Sequence, residues 1–541
     1  MAAQQYKEES HVFNAGPLGW LEGLSLSDAS NGAPVCKYFG GIPYGSIPER
    51  FRRAQRLPQQ SSLGTKHNPG QHTTSASVCP QPGWRGPPDQ TRWNENCSQL
   101  NIYMPFGTAP KDGWPVFFYI HGGFLQWGSP NFPPSSMAPL MQSAFKAILV
   151  VPAYRLNALG FISSHEFQAE ANANNDTVGN LGFWDQRLAL EWTSDNIQAF
   201  NGNPKNITVG GYSAGSHSTF QQLAHELYFV SDQQAIIKRA IMWSNSPGVQ
   251  PKTIDEHQKQ FNELLTVLDI PLSLPANQKL QRLRAVPQHR LVSAQNEMKI
   301  SEFRALSDGH FISKTIIADI NSGDFARRMK ARGITLMNGE CEQEHSLYEA
   351  WRTPTESYEA VYTRLCGDYP EAVVRKLMDY YCGKSRALPG GARNWADAFG
   401  KLYANMQVHC LERGFHAALE KGGLTFGKDV LRYRFNWRVS GLDAVYPPSW
   451  GVTHATDMAI WLFGLDCDGG LTDDERRILR PWNEAFAAFV RGDEVNWGTN
   501  HVKQMRRLRA DGVTDIWVDD RWEEGLEVWS EVNNARIASK L

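Results

Sequence analysis

Ser213 lies in Gly211-Tyr212-Ser213-Ala214-Gly215, a pattern suited to nucleophilic attack on a carbonyl carbon. A serine hydroxyl needs a base to activate it and a geometry that exposes it. The run Ile207-Thr208-Val209 leads in as a strand, and Ser216 to Leu227 leads out as a helix. Glycines on both sides let the chain turn sharply between the two, so the spacing predicts a nucleophile elbow with Ser213 at its tip. A second chemical element lies 92 residues upstream, where His121-Gly122-Gly123-Phe124 ends the apolar run Val116–Ile120. Glycines at a strand end leave backbone N–H groups uncovered, as the developing oxyanion of acyl transfer requires. Ala214, next after the nucleophile, is the second source of such a donor.

Holding these parts in place calls for a large α/β scaffold. At 541 residues the chain exceeds the ~250–300 at which single cores usually split. No Pro/Gly/Ser-rich linker, charge block or repeat marks a boundary. We expect one catalytic domain over 1–541, a doubly wound, mostly parallel central sheet flanked by helices. Insertions at roughly 250–330 and 350–440 would form helical caps, from runs such as Gln258–Leu268 and Tyr358–Tyr381.

Charge and composition exclude several classes. A net charge of −2 gives no reason to expect nucleic acid or an anionic membrane as partner. The longest apolar runs, such as Ala147–Ala153, are far short of the ~20 residues of a membrane span. Residues Met1–Glu9 lack the apolar segment of a secretory leader. The eight cysteines form no C-x-x-C pair and no cluster at metal-ligand spacing, so no metal is expected. No phosphate-cradling glycine pattern occurs, so no cofactor is expected either. The closing Ser539-Lys540-Leu541 matches a receptor-read peroxisomal address. It implies a peroxisomal import receptor as partner and the peroxisomal matrix as location, with the cytoplasm as the alternative.

The order of motifs resembles the type B carboxylesterases, the family that includes cholinesterases and bile-salt lipases. Phe39-Gly40-Gly41-Ile42-Pro43-Tyr44 with Arg50-Phe51 resembles the family's N-terminal block, and Cys79-Pro80-Gln81 with Asn94 to Asn101 its two-cysteine loop. Tyr154-Arg155-Leu156, then Asn180 to Leu190, continue the series to the elbow. The likeness is nearest to the intracellular filamentous-fungal branch. It implies a glutamate as the acid that orients the base, on a loop after the strand Gly333–Asn338. Within that loop, Gly339 to Leu347, the family pattern best fits Glu344, with Glu342 and Glu340 as alternatives. Gly451-Val452-Thr453-His454-Ala455-Thr456-Asp457 resembles the family's Gly-x-x-His-Gly-x-(Glu/Asp), which makes His454 the base. The resemblance further assigns the oxyanion donors to Gly123, Phe124 and Ala214, a supporting role near acid and base to Ser244, and an ion pair to Arg50 and Glu95. It aligns Cys79 and Cys97 with the family's first disulfide, a bond expected in an oxidising compartment and absent in a reducing one.

Two departures bear on substrate. Phe124 stands where the family usually has a third glycine, which should narrow the acyl pocket. Tyr212 replaces an acid that suits cationic alcohols, and no tryptophan aligns with the choline-stacking position; Trp84 and Trp93 are read as packing residues. The expected activity is hydrolysis of carboxylic esters by a Ser213–His454–Glu344 triad through an acyl-enzyme. The alternatives are an acyl-CoA thioesterase or acyltransferase with the same triad, and a catalytically silent binding domain. The substrate is thus expected to be a small ester or thioester.

Overall fold

In the computed structural model, residues 5–58, 62–84 and 86–534 are described; Met1–Gln4 and the tripeptide Ser539-Lys540-Leu541 lie outside them. A thirteen-stranded sheet forms the centre. Its main strands are β1 (Tyr6–Asn14), β2 (Trp20–Asp28), β3 (Pro34–Pro43), β4 (Gln99–Pro105), β5 (Trp114–Ile120), β6 (Ile148–Pro152), β7 (Gly202–Tyr212), β8 (Ile237–Trp243), β9 (Thr335–Cys341), β10 (Val430–Phe435), β11 (Gln504–Leu508) and β12 (Thr514–Val518). They run in the order β1-β2-β3-β4-β6-β5-β7-β8-β9-β10-β11-β12, and the short strand Gly70–Gln71 pairs with β2.

The central block from β6 to β11 is parallel. Its strands are buried on both faces, which is why Val116 to Ile120 and Ile148 to Val151 read as unbroken apolar runs. The flanks differ: β1, β2, β3, β4 and β6 pair antiparallel in sequence, as do β11 and β12. The mostly parallel description therefore holds for the middle of the sheet, and antiparallel strands extend both edges. Strand β1, at the edge, is mostly exposed: Lys7, Glu8, Glu9 and Ser10 in succession meet solvent, and only Tyr6 is fully buried.

Apolar side chains cover both faces of the sheet. One layer is aromatic: Trp243, Trp461 and Trp482 are fully buried, and Trp243 stacks on Trp461 at 5.6 Å. On the opposite face α1 (Leu181–Asn196) and α2 (Ala214–Phe229) pack against the sheet.

The segments after β8 and β9 carry the helices that roof the sheet. Helix α3 (Ile254–Val267) starts where Glu256 accepts the Thr253 N–H at 2.8 Å, a capping box. Helices α4 (Tyr358–Asp368), α5 (Glu371–Cys382) and α6 (Trp395–Ala404) follow β9. A π-helical turn at Asn405–His409 joins α6 to α7 (Cys410–Lys421). Strand β9 extends three residues beyond its expected end: Gly339, Glu340 and Cys341 belong to the strand and only Glu342 onward to the loop. Pairing with Tyr433, Arg434 and Phe435 of β10 holds those residues extended, a contact between distant segments. No helix among the described residues is long and apolar enough to cross a membrane.

Candidate active site

Ser213 sits between β7 and α2 with φ 58° and ψ −123°, a conformation L-residues avoid. Such strain costs on the order of 1–3 kcal/mol and persists only where the surroundings impose it. Here they do. A Cβ on Gly211 would overlap the backbone of Gly215, and one on Gly215 would overlap the Ile120 carbonyl. The two glycines let α2 start directly against the ends of β5 and β7, and the Ser213 N–H is tied to the Trp243 carbonyl at 2.9 Å.

The elbow brings together residues far apart in sequence. Ser213 Oγ is 2.8 Å from His454 Nε2, and His454 Nδ1 is 2.5 Å from Glu344 Oε2. The other Glu344 oxygen accepts the Cys341 N–H at 2.7 Å, which fixes the carboxylate plane. All three side chains are buried, Glu344 completely. With its Nδ1 proton donated to Glu344, His454 presents Nε2 as an acceptor for the serine proton.

Glu340 and Glu342, the alternatives, do not meet His454. Glu340 points to the far side of the π-helical turn, where it accepts from His409 Nδ1 at 2.8 Å and pairs with Arg413 and Arg434. Burial raises its carboxyl, but those cations outweigh it and hold it well below the usual carboxylate range. Glu342 stays partly exposed in the loop.

The His121-Gly122-Gly123-Phe124 turn lies beside Ser213: a Cβ on Gly122 would come 3.1 Å from Ser213 Cβ. Gly123 has φ 105°, Phe124 φ 58° and Leu125 φ 61°, so the turn reverses through three consecutive residues of positive φ. The N–H groups of Gly123, Phe124 and Ala214 donate to no protein acceptor among the described residues. The turn is anchored from behind, where Tyr154 donates to the His121 carbonyl at 2.8 Å and stacks on the His121 ring. Burial pushes the His121 imidazole down to about 4, so it is neutral and outside the acid–base chemistry.

Ser244 donates to Asp457 Oδ2 at 2.8 Å, and Tyr433 donates to the same oxygen at 3.0 Å. Burial, and secondarily the charge of Glu344, push Asp457 up to about 6. Tyr348 places its hydroxyl 3.2 and 3.3 Å from the two His454 nitrogens, and the Tyr212 ring lies 4.8 Å from the imidazole. Phe124 stacks on Trp351 at 5.5 Å, within a cluster that includes Trp84, Trp127, Tyr348 and Tyr403. Its carbonyl accepts from Arg304. The sequence reading assigned no role to Asp457, Tyr348 or Arg304. Asp457 closes the His454 motif and Tyr348 follows the Glu344 loop, whereas nothing local marks Arg304.

Cys79 and Cys97 are bonded in the structure, and Arg50 Nε donates to Glu95 at 2.7 Å. Trp84, inside the disulfide loop, stacks on Trp127 at 5.0 Å. His345, Glu349 and Asp397 bring ligand-type atoms within 4.8 Å of one another. Arg393 and Lys401 already neutralise Asp397, at 3.0 and 2.9 Å, so the group is an ion-pair cluster and a poor cation site. A cavity of about 880 Å³, its mouth included, opens in front of Ser213, Ala214 and Phe124 and runs beneath the helices after β8 and β9.

Comparison with known proteins gives the chain its family. A family profile described as "Carboxylesterase family" matches residues 10–532. A "Carboxylic ester hydrolase" of Gibberella moniliformis is 53% identical, over 98% of this chain and 97% of that protein. An uncharacterized esterase/lipase of Schizosaccharomyces pombe is 36% identical, over 96% of each. The crystal structure of Aspergillus niger EstA superposes with a TM-score of 0.71 at 19% identity, covering 97% of this chain and 99% of that one; this likeness speaks to the fold alone.

Proposed function

This chain belongs to the carboxylesterase family and is a carboxylic ester hydrolase, and from that premise we propose that it works through a Ser213–His454–Glu344 triad and an acyl-enzyme. The observation carrying the proposal is the continuous line from Ser213 Oγ through His454 to Glu344, 2.8 and 2.5 Å per link.

In the first half-reaction Ser213 Oγ attacks the ester carbonyl while His454 Nε2 takes its proton. The carbonyl oxygen becomes an oxyanion facing the N–H groups of Gly123, Phe124 and Ala214. Each such donor stabilises the transition state by about 3–4 kcal/mol when pre-aimed. Glu344 holds the tautomer and stabilises the imidazolium. His454 then gives its proton to the leaving alcohol, leaving the acyl group on Ser213. In the second half-reaction His454 activates water against that acyl ester, and the same donors receive the second oxyanion.

The test is labelling with a fluorophosphonate and intact mass, run beside hydrolysis of short p-nitrophenyl esters. One adduct and turnover are expected in the native protein. Ser213→Ala should lose the adduct and about 10⁴–10⁶-fold in kcat. An adduct that persists in a folded Ser213→Ala protein would refute the assignment.

A further inference from the structure

The wall of the active-site cavity carries buried charges. Besides Ser213 and Phe124, it includes Lys252, Arg304 and Asp368. Lys252 follows β8 and is 6% exposed; its ammonium donates to the Gly367 carbonyl at 2.7 Å, a bond that leaves two of its three N–H groups for other acceptors. Burial pushes Lys252 down to about 8, so it remains mostly charged at pH 7.

The surrounding ion pairs do not cancel this charge. Glu302 faces Arg352 at 2.9 Å, Arg304 at 3.4 Å and Arg364 at 3.7 Å, while Asp368 contacts Arg304 and Arg364. Glu256, in the first turn of α3, also acts on Lys252. Four cationic side chains therefore face three carboxylates. Arg304 Nε and two nitrogens of Arg364 are buried without a hydrogen-bond partner.

The cavity also meets the nucleophile assigned above. Its wall includes Ser213, Ala214 and Phe124. These are the proposed nucleophile and two of the proposed oxyanion donors, so an acyl group held on Ser213 borders the cavity.

We infer that the acyl group of the substrate ends in a carboxylate, received by Lys252 on the wall of this cavity. The inference rests on ester hydrolysis at Ser213, and names the substrate class as hemiesters of dicarboxylic acids.

The experiment measures phenol release from monophenyl adipate, pimelate and suberate against phenyl alkanoates of equal carbon number, at low ionic strength. At one chain length the anionic ester should show at least a tenfold higher kcat/KM. Lys252→Met should cut that ratio tenfold or more, and Lys252→Arg should keep it. A wild-type ratio of one or less at every length overturns the inference while leaving the esterase reading intact. So does a ratio that a folded Lys252→Met protein leaves unchanged; where Lys252→Met does not fold, the wild-type ratio decides. Calorimetric binding of adipate, pimelate and suberate to Ser213→Ala reads the same site without turnover. Lys252-dependent binding there supports it even if the catalytic assignment fails, and binding of none of the three counts against it.

Discussion

Phe124 is where stability and selectivity can be separated, and Phe124→Gly is the sharpest perturbation. Its backbone has φ 58°, and its ring is 6% exposed, stacked on Trp351 and flanked by Trp84, Tyr348 and Tyr403. Removing a buried phenyl ring costs about 3–5 kcal/mol. Releasing a non-glycine residue from the left-handed region returns about 1–2 kcal/mol. The added freedom of glycine in the unfolded chain takes back about 0.5–1 kcal/mol. The variant should therefore be less stable by roughly 2–4 kcal/mol, read as a lower urea midpoint at unchanged slope. The backbone N–H survives, so hydrolysis of p-nitrophenyl acetate should persist. The vacated volume lies on the cavity wall, and room for two more methylenes at about 0.8 kcal/mol each is roughly a 15-fold gain in kcat/KM. The ratio of p-nitrophenyl hexanoate to acetate should rise by about that much. An unchanged acyl-length profile in the folded variant would refute the wall assignment, and a gain in stability would show that strain had been undervalued.

Tyr348→Phe removes a hydroxyl 3.2–3.3 Å from both His454 nitrogens and should lower kcat/KM about two- to tenfold. The acid limb of the pH profile should move with it; a profile identical to wild type would make the hydroxyl a bystander. Asp457, pushed up to about 6 by burial and Glu344, binds its proton more tightly folded than unfolded. Its share of stability is thus present below pH ~4 and is lost as pH rises through ~6, a penalty of about 3 kcal/mol above that range. Asp457→Asn should flatten the fall in unfolding free energy between pH 4.5 and 7.5; a slope as steep as wild type would exclude Asp457 as its source. Ala455 occupies φ 82°, so Ala455→Gly should raise stability by about 0.5–1 kcal/mol in chemical denaturation, the sum of relieved strain and added unfolded-chain entropy.

How far the sequence discloses this site depends on the range of the interactions. The elbow is legible because its constraint is local: Gly211 and Gly215 are needed where the chain turns against Ile120. His454 is legible only through likeness to a family, and its motif has a physical reason. The position after it is left-handed, suits glycine, and here holds Ala455. Among the glutamates at 340, 342 and 344, likeness to the family pattern favours Glu344 but supplies no local physical reason. What separates them is β10, which keeps β9 extended to Cys341 and sends Glu340 toward Arg413. Arg304 reaches the Phe124 carbonyl across 180 residues and Lys252 reaches Gly367 across 115. Such contacts leave no periodic or compositional trace, so the charged wall of the cavity belongs to the tertiary structure alone.

The separation of Ser213 from His454 has a consequence in time. Ser213 and His454 are 241 residues apart, and β10 and β11, which complete the parallel block, begin at Val430 and Gln504. At roughly 5–20 residues per second on the ribosome, about 10–50 s pass between the appearance of the serine and that of the histidine. On the proposed triad, the emerging chain carries Ser213 through that interval without the imidazole that would activate it. A chain terminated before His454 is then expected to lose most ester turnover. Full turnover would report that synthesis has passed His454 and that the distant strands have docked.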